Sequence, residues 1–307
     1  MKNNRLNKKF TENGYIIDAD KFIIIKDNVV IKEYSSKNFN SHKSHKTAKN
    51  KPLSNSIFDK NNIPVPKHII IDSNNKYKYM YYTDIQFPCV LKPIDGMQGK
   101  DVNTFIKNID QFRDILEKLL SKYNKVMFEN QVYGDNYRIF VFNNQIMDII
   151  KREQPFILGN NKDTVENLIK EKNILQKKKN LYPTNNLDWY YIEEQGFNKD
   201  SVPPLNKKIF ITNTINFHNG ANPVRISLEN IPEINKEMFI NAHKLIELDC
   251  SGIDYMSTDI TKPFNENNGH IIEINDMVDT KIHIDADDAN NPNFLFDNIY
   301  ISPYGIL

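Results

Sequence analysis

The pattern of apolar and polar positions divides the 307-residue chain into short strands and a few amphipathic helices. The clearest helical stripe runs over 108–123, where Phe112, Ile115, Leu116, Leu119 and Leu120 recur at the 3.6-residue period. Asn108 and Gln111, three residues apart at its start, have the spacing of a capping box. A second long stripe over 233–248 puts Ile234, Met238, Ala242 and Leu245 on one face. Shorter helices are predicted over 53–60, stopping before Ile63-Pro64-Val65-Pro66, and over 163–172, with Asp163 and Glu166 in capping-box positions. Apolar runs too short for helices predict strands at 67–72, 87–92, 125–129, 137–142, 146–151 and 209–215. Near the start, two runs at 22–25 and 29–31 flank Lys26-Asp27-Asn28 and predict a hairpin. The polar stretch 35–50 reads as a loop in which His42 and His45 are solvated, and 173–206 reads as irregular. The mixture of antiparallel pairs and helices predicts an α+β fold rather than strict βαβ alternation.

The strand Ile271-Ile272-Glu273-Ile274-Asn275 carries the most informative chemistry. Positions two apart share a face, so Glu273 and Asn275 project together and away from the isoleucines. Upstream, Gly252-Ile253-Asp254-Tyr255-Met256 is another short apolar stretch with one carboxylate. Paired as a hairpin, the two would bring Asp254, Glu273 and Asn275 together. That all-oxygen set suits Mg²⁺ carrying phosphates rather than zinc. Taken alone, a Glu-x-Asn pair equally fits a strand that faces solvent.

Composition narrows the function classes. Forty Lys and Arg against 39 Asp and Glu leave a net charge of +1, which gives no general surface for nucleic acid or a membrane. Cys89 and Cys250 are the only cysteines, so there is neither a disulfide framework nor a zinc spacing. No apolar run approaches the ~18 residues that span a bilayer. The basic stretch 1–9 lacks the apolar segment of a secretory signal, so a cytoplasmic location is expected. Lys177-Lys178-Lys179 and the acidic Asp285, Asp287 and Asp288 read as solvated loops.

The strand ending Val90-Leu91-Lys92-Pro93 runs into Asp95-Gly96-Met97-Gln98-Gly99-Lys100. Glycines let backbone N–H groups approach phosphate oxygens, and a lysine adds a point charge. The spacing is not that of a P-loop, which needs Gly-x4-Gly-Lys-Ser/Thr, and it would also fit a simple turn. Its partners in the chain make an ordered series: Lys51, Lys92-Pro93, the glycine loop, Glu129-x-x-Val132-x-Gly134, Gly252-Ile253-Asp254 and Glu273-x-Asn275. This series resembles the ATP-grasp ligases. Tyr137-Arg138, Arg152, Gly159, Thr164-Val165-x-x-Leu168-Ile169, Asn173, Asp200-Ser201-Val202-Pro203, Asn216-Phe217-His218-Asn219-Gly220 and His283 are similar to the ATP-grasp region of cyanophycin synthetases and bifunctional glutathione synthetases, over about 50–300.

The resemblance implies an ATP-grasp fold whose two α+β lobes hold ATP between them. It implies an ADP-forming carboxylate–amine ligase that works through an acyl phosphate on amino acids or short peptides. ATP would be contacted by Lys51, Lys92, Gly96, Gly99, Lys100 and Glu129, with the glycine loop as a lid. Mg²⁺, or Mn²⁺, would be held by Asp254, Glu273 and Asn275. Arg138 and Arg152 would hold the acyl phosphate and its tetrahedral successor, and Asn216, Gly220 and His283 would face the substrate. Residues 1–50 would be an N-terminal hairpin and polar linker. The ATP-grasp domain would cover 51–307, with a lid-type subdomain at about 85–135 and a metal-binding lobe at about 136–307. A homodimer is expected by family analogy. The chain departs from the family pattern at Asn136, Thr212, Ala221 and Val278. These departures lie mostly on the acceptor side, so a phosphotransferase and a non-catalytic ATP-binding regulatory protein stand as alternatives.

Overall fold

The computed structural model describes residues 15–18, 23–26, 29–33, 40–81, 85–96, 100–179, 181–276, 278–279, 282–283 and 286. In chain order these form β1 (Tyr15–Asp18), β2 (Ile23–Lys26), β3 (Val29–Glu33), α1 (His42–Lys49), α2 (Lys51–Lys60), β4 (His68–Asp72), α3 (Lys76–Met80), β5 (Cys89–Pro93), β6 (Asn103–Ile106), α4 (Ile109–Leu120), β7 (Lys125–Asn130) and β8 (Asp135–Phe142). They continue with β9 (Gln145–Glu153), β10 (Phe156–Leu158), α5 (Val165–Lys178), α6 (Trp189–Glu194), β11 (Lys208–Phe210), β12 (Asn222–Arg225), α7 (Glu233–Leu245), β13 (Cys250–Ser257) and β14 (His270–Asn275). Contacts divide the chain into two compact units. The first comprises Met1–Asn40, Gln145–Leu228 and Met277–Leu307; the second comprises Ser41–Asn144 and Glu229–Asp276.

In the second unit, an antiparallel sheet of order β4-β7-β5-β6 is covered on one face by α4. The predicted stripe of that helix does the covering: Phe112, Leu116 and Leu119 are buried against Leu91, Ile106, Val126 and Phe128. Each such side chain contributes ~1.5–3 kcal/mol by leaving water. Asn108 caps α4 by accepting from the Gln111 N–H, while Gln111 Oε1 reaches back to the Lys107 N–H. Elsewhere in this unit, β13 pairs antiparallel with β8 on one side and with β14 on the other. The predicted pairing of the Asp254 and Glu273 strands is therefore formed. Its alternation is interrupted by a bulge: Asp254 pairs with Glu273, but Tyr255 pairs with Ile271. Ile272 is the extra residue, and Ile271 and Ile274 are both buried despite their opposite parity.

In the first unit, β1-β2-β3 form an antiparallel meander that contains the predicted hairpin. β12 pairs antiparallel with β9, and β10 with β11. Ile157, Val165, Leu168, Ile169, Ile192, Ile209 and Ile211 make a core between the β10–β11 pair and helices α5 and α6.

Several expectations are corrected. Residues 42–49 are a helix, α1, rather than a loop. Its N-cap Ser41 accepts from the Ser44 N–H, and Ser44 and Ala48 are buried. His45 is not solvated, because its Nδ1 pairs with Asp276. α5 is capped by Thr164, not Asp163, and runs to Lys178. α6 lies inside the stretch expected to be irregular. The strand expected over 209–215 is only the three residues of β11. In α7 the buried face is rotated: Asn235, Met238, Phe239, Ala242 and His243 are buried, while Ile234 is exposed.

Candidate active site

In the second unit, β5 and β7 deliver a buried ion pair. Val90 lies opposite Glu129 and Lys92 opposite Met127, so all four side chains share one face of the sheet. Lys92 Nζ meets Glu129 Oε2 at 2.6 Å, with the side chains 7% and 4% exposed. Glu129 Oε1 is also buried and has no hydrogen-bond partner among the described residues. A buried acceptor left unmet costs ~1–3 kcal/mol, which suits a site that a donor-bearing ligand completes.

α2 brings in Lys51. The helix starts here because Asn50 Oδ1 accepts from the Leu53 N–H at 3.2 Å and Pro52 occupies the first turn. Lys51 Nζ donates to Gly96 O at 2.8 Å and lies 3.4 Å from Glu273 Oε1. It thus ties the glycine loop to β14. At Gly96 a Cβ would come within 2.7 Å of the Pro93 ring. Lys100 is exposed at the far end of the loop, and Gly99 lies outside the described residues.

Three charged side chains form a row across β8, β13 and β14. Arg138 is directly opposite Asp254, which is directly opposite Glu273. Arg138 Nη1 is 2.9 Å from Asp254 Oδ1 and donates to Gly252 O at 3.0 Å. With the Asn275 amide oriented to satisfy both its ends, its nitrogen donates to Glu273 Oε1 at 3.3 Å and its oxygen accepts from Arg138 Nη1 at 3.0 Å. Gly252 makes room for this arrangement, because a Cβ there would sit 2.8 Å from Arg138 Nη1. Arg138, expected on the acyl-phosphate side, stands beside Asp254 and Asn275, two of the expected metal ligands. Among the described residues no three His, Cys, Asp or Glu side chains are grouped to hold a metal. The two carboxylates and one amide oxygen on this face nonetheless fit a hard divalent cation by donor chemistry, and Lys51 and Arg138 balance their charge.

The remaining predicted residues lie in the first unit. Arg152 is on β9 opposite Pro223 of β12. Asn216 caps the short turn Phe217–Asn219 by accepting from the His218 N–H at 2.9 Å. Gly220 ends that turn at φ 83°, and a Cβ there would come within 2.1 Å of Thr184 Oγ1. Only glycine fits both the conformation and the space. Asn219 Oδ1 accepts from the N–H groups of Asn185 and Asn186, which fixes the neighbouring strand of chain. His283 is fully buried, with Nδ1 2.9 Å from Asp148 Oδ2, while Asp148 Oδ1 accepts from Arg225 Nε at 3.0 Å. Asp148 and Arg225 escaped the sequence reading. The available signal was a carboxylate in the middle of the apolar strand Ile146-Met147-Asp148-Ile149-Ile150.

One further group stands beside Gly220. Lys172 of α5 places Nζ 3.3 Å from Gly220 O, and burial pushes its ammonium pKa down to about 8. Gln176, one turn on, donates to the same carbonyl at 2.9 Å.

The fold is that of the ATP-grasp proteins. A RimK-like ATP-grasp domain matches residues 48–177. The crystal structure of a bifunctional glutathione synthetase from Pasteurella multocida superposes with a TM-score of 0.60 at 20% identity, covering 93% of this chain and 42% of that one. Within that class the chain resembles two kinds of enzyme. It is 25% identical to the cyanophycin synthetase of Nostoc sp. (strain PCC 7120 / SAG 25.82 / UTEX 2576) over 233 residues, covering 72% of this chain and 25% of the relative. It is 24% identical to the glutathione biosynthesis bifunctional protein GshAB of Clostridium perfringens over 308 residues, covering 89% of this chain and 40% of the relative. The chain thus spans a quarter to two fifths of the length of these relatives. No described helix is long and apolar enough to cross a membrane.

Proposed function

We propose that this protein is an ATP- and Mg²⁺-dependent ligase that joins a carboxylate to the amine of an amino acid or short peptide through an acyl phosphate, releasing ADP. The observation that carries this reading is the row Arg138–Asp254–Glu273 with Asn275 at its flank, joined by Lys51 to the glycine loop. Lys51 and Lys92 would bind phosphate oxygens, and the loop from Gly96 through Gly99 to Lys100 would cover them. Glu129 would face the nucleotide, whose donor groups would meet its buried, unpartnered oxygen.

Asp254, Glu273 and Asn275 would hold Mg²⁺, for which Mn²⁺ can substitute on the same donors. When bound, the metal neutralises charge building on the transferring phosphoryl group. The chain's own contribution is positioning. Arg138 fixes the Asp254 carboxylate and the Asn275 amide, so the donor face is set before nucleotide arrives. Arg138 and Arg152 supply cationic donors for an anionic acyl intermediate. Asn216 and Gly220 shape the loop that faces the substrate, and His283, held by Asp148, lines the same unit. The relatives' names support amino acids and peptides as the substrate class. We further propose a cytoplasmic homodimer, which size-exclusion chromatography with light scattering tests.

The test is ADP release from Mg²⁺-ATP with pooled amino acids and dipeptides, run beside Glu273→Ala. Release that needs both an acid and an amine, and that falls at least 100-fold in Glu273→Ala, supports the ligase. A stable phosphorylated product made with no amine would replace it by a phosphotransferase. Tight ATP binding with no release from any pool would replace it by a nucleotide-binding regulatory protein.

A further inference from the structure

We propose that Lys172 anchors a carboxylate of the amino-acid or peptide substrate beside the 216–220 loop. This inference rests on the ligase reading and names part of its acid-binding pocket. Lys172 is a half-buried cation on α5 whose one polar contact among the described residues is the Gly220 carbonyl at 3.3 Å. No carboxylate pairs with it there. Burial accounts for the lowering of its pKa to about 8, with no acidic neighbour among the described residues acting against it. An ammonium held in the folded chain without a counter-charge is costly unless a ligand supplies one.

A purely structural role does not account for the charge. Gln176 Nε2 already satisfies the Gly220 carbonyl at the shorter distance of 2.9 Å. An apolar side chain of the same length would pack there without the cost of desolvating an ammonium. Two further polar atoms grouped around Gly220 are buried and unpartnered among the described residues: Thr184 Oγ1 and Gln176 Oε1. Asn173, next to Lys172, holds Thr184 in place through both backbone groups, accepting from its N–H at 2.9 Å and donating to its carbonyl at 3.0 Å. Lys172 and the Thr184 hydroxyl are two donors for a carboxylate, and Gln176 Oε1 is an acceptor for the neighbouring ammonium. By donor and acceptor type the three suit the two ends of an α-amino acid. The loop they surround is the one whose conformation requires Gly220, so the anchor and the loop are built as one feature.

The experiment measures binding without turnover. Wild type, Lys172→Met, Lys172→Gln and Lys172→Arg are titrated by thermal shift and calorimetry with free amino acids and dipeptides, and with their C-terminal amides. Mg²⁺ and a non-hydrolysable ATP analogue are present throughout, and inorganic phosphate is run as a separate arm. The expected result is that wild type binds at least one free acid better than its amide. Lys172→Met and Lys172→Gln should lose about 10- to 100-fold of that affinity, Lys172→Arg should retain most of it, and the analogue's own shift should be unchanged. The inference is overturned if the neutral variants keep the preference for the free acid, or if wild type shows no such preference. It is equally overturned if inorganic phosphate competes fully with the acids, which would assign the lysine to phosphoryl oxygens. If Lys172→Met does not fold, Lys172→Gln gives the same reading with a polar side chain in place. Carboxylate binding that depends on Lys172 in a protein that never releases ADP would overturn the ligase reading and leave this inference standing.

Discussion

Lys92 and Lys172 are the same residue type taken out of water in opposite ways. Lys92 is almost fully buried in the second unit, yet its charge is met at 2.6 Å by Glu129. Lys172 is less buried, in the first unit, and no carboxylate meets it among the described residues. The first lysine is part of the fold, and any ligand there would share it with Glu129. The second is held in readiness, and a ligand completes it. A buried cation therefore marks a candidate binding site most clearly where, among the described residues, no counter-charge meets it.

Breaking the paired lysine gives the largest effect. Lys92→Met strands the Glu129 carboxylate, of which one oxygen is already unmet, and should destabilise the protein by about 3–5 kcal/mol in urea unfolding. Adding Glu129→Leu to that variant should recover much of the loss, because an apolar pair replaces the ionic one. If the double variant is no more stable than Lys92→Met, the pair is not the source of the cost.

The unpaired lysine should behave the other way. Its folded pKa of about 8 lies below its ordinary 10.5, so the unfolded chain binds the extra proton between those values. The lysine thus weakens the fold below pH 8, and the penalty is relieved as pH rises towards 10.5. Lys172→Met should accordingly be more stable than wild type at pH 7, by about 2 kcal/mol after allowing for its partial exposure. That advantage should shrink between pH 8 and 10.5, as followed by paired urea titrations. An advantage that is constant with pH would show that Lys172 keeps its ordinary pKa.

The smallest expected stability effect sharpens the contrast between holding a fold and holding a site. In Gly252→Ala the new methyl would press on the Arg138 guanidinium, which is the end of a flexible side chain, so unfolding should shift by only about 1 kcal/mol. Displacing Arg138 from Asp254 should still lower ADP release about tenfold or more. Equal losses in stability and activity would argue that Gly252 serves packing alone.

What could be read in advance follows a physical divide. The β13–β14 hairpin, α4 and the Lys92 strand were legible because local period and side-chain chemistry agree there. α1 was not, because its polar residues are held by distant parts of the chain: Lys43 pairs with Glu247, and the Ser44 hydroxyl donates to the Glu247 carbonyl. The face of α7 was misjudged because polarity was taken to mean exposure. Asn235 is buried and donates to the carbonyls of Ile260 and Lys262. His243 is buried against Ser251 at 2.8 Å, and burial pushes its pKa down to about 4, so it stays neutral. Satisfied polar groups occupy core positions without leaving a period in the sequence. The Asp148–His283 contact spans 135 positions and was invisible for the same reason. Lys172 went unnoticed because the predicted helix ended on it, whereas the real one carries Gln176 a turn further to the same carbonyl.

Both thiols of the chain, Cys89 and Cys250, lie within the second unit, each buried and with its pKa pushed up to about 12. A thiol-reactive dye is therefore a clock that starts only when that part of the chain opens. Because the first unit has no thiol of its own, the labelling rate times one half of the molecule and ignores the other. Slower labelling on adding nucleotide would report which half the nucleotide steadies, with no engineered probe.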